Sequence, residues 1–258
     1  MQITVLTENT TAHSHLFSEH GLSLYIETEN HRILFDTGQS DAFYKNAVKL
    51  GIDLTKVDIL IISHGHYDHG GGLKRFLETN SKAEIYLSPH AFENHYSKNG
   101  YIGLDRTLSG NERFTCVSAP LHIDNLTLFP ASLLPAPFDV DHSSLTLDGN
   151  IPDNFDHEQY LLIKENNRKI LISGCSHKGI LNIAHFFNPD VLIGGFHFMK
   201  INIDEKGLQR LTESAKALLS YNCTYYTCHC TGQAQFEVLK EIMNDKLNYI
   251  STGDSFTA

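Results

Sequence analysis

The chain is short of the features that membrane and nucleic-acid-binding proteins need. Its 258 residues include no apolar run long enough to span a bilayer. They also include no run of lysines and arginines that would bind a phosphate backbone. Asp and Glu outnumber Lys and Arg by 30 to 20, which gives a formal net charge of -10. We therefore expect a small-molecule substrate, no nucleic acid and no membrane. The first residues, "MQITVLTENTT", lack a basic segment, so no signal peptide is expected.

Cysteine is also scarce. The five cysteines are odd in number, and their spacing is not that of a small disulfide scaffold. A reducing compartment, the cytoplasm, is therefore expected. Histidine is abundant by contrast, because sixteen residues are spread along the chain. Several of them stand where strands should end, which makes them the first candidates for chemistry.

Two segments of the chain resemble each other. Tyr25–Gly38 ("YIETENHRILFDTG") and Leu162–Gly174 ("LIKENNRKILISG") both have the pattern of a β-hairpin with a polar turn centred on Asn. A helix-like stretch and a buried strand follow each hairpin. The buried strand is "DILIISHGH" in the first half and "DVLIGGFH" in the second. The repeat predicts one domain, residues 1–258, built from two similar halves with two sheets face to face and helices outside.

The helices are predicted at five places along the chain: Asp41–Leu50, Gly71–Thr79, Lys178–Phe187, Glu205–Tyr221 and Gln233–Asn244. The middle of the chain, roughly residues 90–150, has strand patterns at "FTCVSAP" and "LTLFPAS" and a proline-rich turn between the halves. We expect edge strands and surface loops there, with a substrate-facing lid as the alternative.

The segment "IISHGHYDHGGG", Ile61–Gly72, concentrates potential metal ligands behind a buried strand. His64 and His66 lie two residues apart and can face the same side. Asp68 and His69 follow after a turn. The pattern suits two adjacent cations, one bound by the two histidines and the other by Asp68 and His69. Such a pair can share a water and make it a nucleophile. A polar surface loop is the alternative.

The motif H-x-H-x-D-H after a buried apolar strand resembles the metallo-β-lactamase superfamily. Three more segments, "ILFDTG", "ILISGC" and "YTCHC", look like parts of that family. The resemblance implies a four-layer αββα sandwich of the α/β (α+β) class, with metals at one edge between the sheets. A closer resemblance is to the dihydropterin ribofuranosyl-aminobenzene phosphate synthase family. It is carried by "GLSLYIET", "SHGHYDHGGGL", "SGCSHKGI" and "CHCTG", and that family's named reaction belongs to methanopterin biosynthesis.

The resemblance also implies further metal ligands. Many superfamily members have a bridging Asp where this chain has Cys175, whose thiolate would bind zinc or iron. A small buried residue is the alternative there. The remaining histidine is expected to be His177, two positions past Cys175, with His157 as the alternative. His229 follows the strand pattern "YYT" and completes the metal site.

Residues around these ligands have weaker signals. Cys228 and Cys230 flank His229 and are expected, by strand alternation, to point away and pack. His197 ends the second buried strand and would be a ligand or a proton donor to a leaving group, with a hydrogen-bonded core histidine as the alternative. Asp36 is expected to orient a metal-binding histidine, or only to form a turn. Four histidines carry no spacing signal and are expected at the surface: His13, His15, His20 and His31.

The leading expectation is a metal-dependent hydrolase with two divalent metal ions. Zinc is the first choice, with iron, manganese or magnesium as alternatives. A metal-bound hydroxide would attack an ester, phosphoester or amide, with Asp68 and His197 as the catalytic side chains. The alternatives are the pterin-related synthase, which is a transferase, and a mono-iron redox protein or metal-holding sensor. The substrate would be anionic or pterin-like, and the oligomeric state stays open. The synthase alternative requires aromatic faces and an anion site, which four side chains of the middle segment could supply: Tyr96, Tyr101, Arg106 and Arg113.

Overall fold

The strands of the chain sort into three sheets. The structure, a computed structural model, describes residues 1–140 and 145–258. The first sheet has the order β18-β1-β2-β3-β4-β5-β8 and contains β1 (Gln2–Thr7), β2 (Ser23–Glu27), β3 (Arg32–Phe35), β4 (Ile59–Ile61), β5 (Glu84–Leu87), β8 (Phe114–Cys116) and β18 (Ser255–Thr257). The second has the order β17-β16-β15-β14-β13-β10-β9 and contains β9 (Leu121–Ile123), β10 (Leu126–Pro130), β13 (Gln159–Glu165), β14 (Arg168–Ile172), β15 (Val191–Ile193), β16 (Thr224–Thr227) and β17 (Leu247–Tyr249).

A third, small sheet lies in the middle of the chain. Its order is β12-β11-β6-β7, and it contains β6 (His95–Ser97), β7 (Gly100–Tyr101), β11 (Leu145–Leu147) and β12 (Ile151–Pro152). The sequence patterns do not predict it, because two- and three-residue strands are too short to show a period. Of the segment suggested as a lid, residues 141–144 lie outside the described part of the chain.

The predicted helices are confirmed to within two residues at each end. They are α1 (Ala42–Lys49), α3 (Leu73–Thr79), α4 (Ile180–Phe187), α5 (Glu205–Leu219) and α6 (Gln233–Met243). The short helix α2 (Tyr67–Gly70) precedes α3 and carries part of the H-x-H-x-D-H motif. Short 3-10 turns occur at Leu54–Lys56, Arg106–Leu108, Ala131–Leu133, His229–Thr231 and Asn244–Lys246.

Alternation along the central strands builds the layers. In β13, Leu161 and Ile163 belong to the core between the sheets, whereas Tyr160 belongs to the core beneath the helices of the second half. In the first half, Ile61 faces the inter-sheet core and Leu60 packs in the cluster that contains α1 and α3 side chains. Burying each such aliphatic side chain contributes about 1.5–3 kcal/mol. Both central sheets are therefore covered on both faces, and the predicted four-layer αββα sandwich is confirmed.

The candidate ligands follow parallel strands. β3, β4 and β5 are parallel neighbours in the first sheet, and β14, β15 and β16 are parallel neighbours in the second. Side chains just past the carboxyl ends of parallel strands meet at one edge, where sites in such sheets form. Both halves show the predicted order of hairpin, helix and strand. That they fold as one domain stays a prediction. No helix in residues 1–140 or 145–258 is long and apolar enough to cross a membrane.

Candidate metal centre

The H-x-H-x-D-H segment begins where β4 ends. His64 and His66 stand in the turn after the strand, and Asp68 and His69 lie in the one-turn helix α2. All four residues are buried, and His64 and His69 have no solvent exposure. Because the cluster lies inside the protein, the alternative of a polar surface loop does not apply.

Glycines let this segment pack closely against the loop after β3. A β-carbon on Gly71 would collide with the carbonyl oxygen of Gln39, and one on Gly72 with the carbonyl oxygen of Thr37. The backbone could not make room without shifting α2. The glycines of the motif are therefore required for the position of Asp68 and not only for flexibility.

Asp36 and Ser63 fix the orientation of two histidines of the motif. One oxygen of Asp36 accepts the Nδ1 proton of His69 (2.7 Å) and the hydroxyl proton of Ser63 (2.7 Å). The Ser63 oxygen lies 2.8 Å from Nδ1 of His64 and accepts its proton. Both imidazoles thus carry the proton on Nδ1 and leave the Nε2 lone pair for a metal. The hydrogen bond that the predicted orienting role of Asp36 requires is present, and the role itself stays a prediction. The part played by Ser63 had no sequence signal.

Two buried glutamates hold the later ligands. Glu8 accepts the backbone N–H of His229 (2.6 Å), and Asn9 accepts the proton from Nδ1 of His229 (2.8 Å). Glu158 accepts the backbone N–H of His177 (2.9 Å), and burial raises the pKa of its carboxyl. Sequence reasoning missed both glutamates. Their positions, directly after β1 and directly before β13, were the only signal that could have identified them.

A first group of potential ligands consists of His64, His66 and His177, whose ligand atoms lie within 4.8 Å of one another. Nε2 of His64 is 3.3 Å from Nε2 of His177. Burial and the neighbouring histidines lower the pKa of all three well below the usual range. They are therefore neutral near pH 7, as metal ligands must be.

A second group consists of Asp68, His69 and His229. Nε2 of His229 is 3.2 Å from Nε2 of His69 and 3.3 Å from a carboxylate oxygen of Asp68. Burial opposes the ionisation of Asp68, but His69, His20 and His229 together hold the pKa of its carboxyl well below the usual range. The sequence prediction that residue 229 meets the H-x-H-x-D-H motif is confirmed by these distances.

Cys175 lies between the two groups. Its Sγ is 3.2 Å from Nε2 of His69, and Cys175, His64 and His69 place their ligand atoms within 4.8 Å of one another. Burial raises the pKa of the Cys175 thiol well above its ordinary value. A cation at this place would reverse that effect, because coordination deprotonates a thiol.

The spacings in these groups match those within a metal coordination shell. A tetrahedral ion with metal–nitrogen bonds of about 2.0–2.1 Å separates its nitrogen ligands by about 3.3–3.4 Å. The Nε2 pairs here are 3.3 Å apart for His64 and His177 and 3.2 Å apart for His69 and His229. In the second pair both rings carry their proton on Nδ1, so two lone pairs face each other. That arrangement is unfavourable for buried groups unless a metal ion or a further proton lies between them.

Comparison with known proteins agrees with this geometry. Tm1679, a metal-dependent hydrolase of the beta-lactamase superfamily, is 32% identical to this chain over 100% of this chain and 99% of that one, with a TM-score of 0.83. The chain belongs to the metallo-β-lactamase superfamily. The family model of that superfamily matches residues 19–110, which include the H-x-H-x-D-H motif. Proteins of this fold generally bind divalent metal ions, and most are hydrolases acting on small molecules.

Two curated relatives come from Methanocaldococcus jannaschii. The uncharacterized protein MJ0448 is 28% identical over 94% of this chain and 95% of its own length. The 7,8-dihydropterin-6-methyl-4-(β-D-ribofuranosyl)-aminobenzene-5'-phosphate synthase is 28% identical over 90% of this chain and 88% of its own length. The second match bears out the closer family resemblance seen in the sequence.

His20 is exposed, as expected, and its Nε2 lies 3.2 Å from a carboxylate oxygen of Asp68 at the edge of this metallo-β-lactamase centre. One sequence expectation about the centre is wrong. Cys230 does not point away from the site, because it lines the cavity and its Sγ lies 3.5 Å from the carbonyl oxygen of Cys175. Strand alternation fails at Cys230 because β16 ends at Thr227 and a 3-10 turn follows.

Cys228 and His197 differ in where they lie relative to the cavity. Cys228 is fully buried in the core between the sheets, as expected. His197 is half-buried at the cavity, with its ring centre 4.3 Å from that of His177. Its Nδ1 has no hydrogen-bond partner in the described ranges. A hydrogen bond at Nδ1 therefore does not hold His197 in a core position, and its ligand and proton-donor roles remain proposals.

A cavity of about 370 Å³ opens in front of the metal-capable groups, within the usual size range of small-molecule sites. Lys98, in the turn between β6 and β7, and Lys200 line it. Tyr96, Tyr101, Arg106 and Arg113 of the middle segment do not line it. They also do not line a second cavity that adjoins this one at His177 and His197. Arg113, for example, donates to the backbone carbonyls of Asn80 and Ala83. The two arginines hold neighbouring parts of the chain instead, because Arg106 also donates to the side chain of Asn94.

Proposed function

We propose that the protein is a hydrolase with two divalent metal ions. His64, His66 and His177 would hold one ion, and Asp68, His69 and His229 the other, with Cys175 between them. The observation that carries the proposal is the 3.2–3.3 Å spacing of opposed ligand atoms in both groups. The imidazole and thiolate donors favour zinc, with iron, manganese and magnesium as the other candidates.

When bound, the ions would supply Lewis-acid polarisation of the substrate and would lower the pKa of water. The chain's own residues supply orientation and proton transfer. Asp68 is both a ligand and a neighbour of His20, which is exposed at the cavity and 3.2 Å away. His197 lines the cavity, so its ring could give a proton to a leaving group.

The substrate class that fits the cavity is a small anionic ester, phosphoester or amide. The protein as a whole carries a net charge of -10, yet two lysines, Lys98 and Lys200, line the cavity. Lys98 forms no ion pair with any residue in the described ranges. Basic groups around a cleft raise the local concentration of anions and speed their arrival.

A pterin-related synthase activity is the second candidate. It is favoured by the match to the dihydropterin ribofuranosyl-aminobenzene phosphate synthase. It is also favoured by a second cavity, of about 170 Å³, that adjoins the first at His177 and His197. Phe138, Phe196 and Phe198 line this cavity, so it offers aromatic faces to a planar ring.

The test is metal analysis of untagged protein, followed by assays of phosphoesters, carboxylic esters, lactones, amides and pterins. Two zinc or manganese ions per chain, with turnover of an anionic ester that chelation abolishes, is the expected result. Turnover only of a pterin with a phosphorylated ribosyl aromatic amine would favour the synthase. A single redox-active iron per chain without hydrolysis would favour a redox protein or a metal-holding sensor.

A further inference from the structure

A second cluster of buried polar side chains lies behind the metal centre. His95, Asp153 and His157 are each at most 1% exposed. With His66 they place their potential ligand atoms within 4.8 Å of one another. Four buried ligands of this kind would ordinarily indicate another cation site. The hydrogen bonds of His157 argue for a different role.

The protonation of His157 is fixed by the backbone of the metal motif. The N–H of Gly65 donates to Nδ1 of His157 at 2.9 Å. A ring turned by 180° would place a carbon atom against that N–H, so the orientation of the ring is set. A neutral imidazole that accepts at Nδ1 carries its proton on Nε2. His157 therefore presents an N–H to the cluster, which repels a cation.

Asp153 is the group that this N–H meets. Its Oδ2 lies 3.2 Å from Nε2 of His157, although the N–H points obliquely at the oxygen. The same oxygen lies 3.0 Å from Nδ1 of His95. Oδ1 of Asp153 accepts the backbone N–H of Phe155 at 2.8 Å. The carboxylate thus has two hydrogen-bond partners, His95 and the backbone N–H of Phe155, and lies beside Nε2 of His157 without a hydrogen bond to it.

His95 connects this arrangement to the rest of the middle segment. Its Nε2 lies 3.3 Å from the carbonyl oxygen of His90, so both ring nitrogens face acceptors. A β-carbon on Gly65 would collide with Nε2 of His95 and with the carbonyl oxygen of Ala91. The backbone at Gly65 is therefore packed directly against Ala91 and against His95 at the start of β6.

We propose that His95, Asp153 and His157 form a positioning triad that holds the peptide of Gly65. Through this peptide the triad sets the separation and direction of His64 and His66. His157 itself binds no metal ion, although it stands close to His66. This inference rests on the proposed metal centre, because it assigns the triad the task of placing two of its ligands.

The protonation of His157 can be observed directly. Long-range proton–nitrogen NMR spectra of histidine-labelled protein, metal-free and zinc-loaded, should show a proton on Nε2 and none on Nδ1 of His157 in both forms. The zinc-loaded spectrum should show metal-shifted Nε2 signals for His64 and His177. Loss of the Nε2 proton of His157 on zinc loading would overturn the proposal.

Variants test the positioning role. His157→Ala should keep two zinc ions at saturation but bind them about 10–100-fold more weakly in competition with a chelator, the usual effect of removing an outer-shell partner. His157→Asn should recover part of the affinity, because its Oδ1 can accept the Gly65 N–H. His185→Ala, at an exposed histidine of α4, should match wild type. If His157→Ala binds one ion fewer at saturation, His157 is a metal ligand and the proposal is wrong.

A folded His157→Ala variant with unchanged zinc affinity would also overturn the positioning triad. If His157→Ala does not fold, the NMR measurement on the wild-type protein decides. Hydrolysis is not among these readouts. Failure of the proposed function would therefore show in the activity assays, and failure of the triad would show in metal affinity and NMR.

Discussion

Asp68 differs from the other carboxylates around the centre because its oxygen faces both histidine nitrogens and the cavity. Asp36, Glu8 and Glu158 are turned toward backbone or Nδ1 protons instead. We expect Asp68→Ala to lose one of two metal ions and to lower turnover by more than about 100-fold, the upper range for outer-shell partners. Circular dichroism should be unchanged, because the core belongs to the strands. Retention of both ions and full turnover would remove Asp68 from the site.

Cys175 and Cys228 are both buried, but only Cys175 lies near the histidines. Cys175→Ser should weaken metal binding more than Cys228→Ser, because a hydroxyl is a poorer ligand than a thiolate for zinc. Cys175 should also resist alkylation in the metal-loaded protein and become more reactive after chelation. Equal effects of the two serine variants on metal affinity would contradict its role.

Glu158 supports His177 through the backbone, so its effect should reach the metal without direct contact. Glu158→Gln keeps the size of the side chain but removes an acceptor from the N–H groups of His177 and Lys178. We expect the affinity for one ion to fall by about 10–100-fold. Glu237→Gln, on the exposed face of α6, is the control. A chelator titration of each variant makes the comparison, and identical curves would exclude the support role.

The residues that the sequence predicted share a local signal. His64, His66, Asp68 and His69 follow one buried strand at short spacing, and strand alternation sets Cys228 in the core. The residues that it missed make contacts with distant segments. Glu8 accepts from His229, and Ser63 donates to Asp36. A pattern in one segment carries no information about which distant backbone group will need an acceptor.

Among the elements, the β6–β7 hairpin brings polar residues of the middle segment to the cavity. Ser97, Lys98 and Asn99 at its turn line the cavity. An exposed ion pair is worth up to about 1 kcal/mol, or about five-fold in binding. Lys98→Ala should therefore raise the KM of an anionic substrate by up to about five-fold while leaving kcat nearly unchanged.

The effect of Lys98→Ala should shrink at high salt, because exposed charges are screened. Lys206→Ala, on the outer helix α5, removes the same charge from a residue that does not line the cavity and should leave KM unchanged. An equal change in KM for a neutral substrate would show that Lys98 acts on the shape of the hairpin and not through its charge.

Elements with a clear apolar pattern were predicted well. The central strands are largely apolar along their length, because both faces of their sheets are covered, and the longer helices each have one apolar face. The strands β7 and β12 have two residues each and lie on a small sheet. Their pairing depends on tertiary contacts, such as the backbone bond from Ile102 to His95, so no local pattern predicts them.

At the scale of the whole molecule, we expect the free energy of unfolding of the metal-free protein to be lower in acid. Burial lowers the pKa of His64, His66 and His177 in the folded protein, and that of His157 to about 4. In the unfolded chain these groups titrate near about 6.5. Between these values the unfolded chain binds more protons, so the free energy of unfolding falls as the pH falls. His69, whose pKa Asp36 and Asp68 raise against the effect of burial, opposes this.

The lowered pKa values of these four histidines outweigh the raised pKa values of His69 and Glu158, so the urea midpoint of chelated protein should be lower at about pH 5 than at about pH 7.5. An exposed-histidine variant, His185→Ala, should follow the same curve as wild type. A midpoint that rises toward pH 5 would show that the buried histidines are already protonated in the folded state.

The positions of the proposed ligands in the chain have a consequence for how metal is acquired. His64 and His229 come from opposite halves, and their groups exist only after both sheets have packed. An unfolded or incompletely synthesised chain lacks both proposed groups of ligands, so the proposed ions would bind after folding. The folded site would then bind the ion that is abundant and exchanges fastest at the cavity mouth, within the affinity order of divalent metals. We therefore expect the ion found after purification to follow the metal supply of the producing cells.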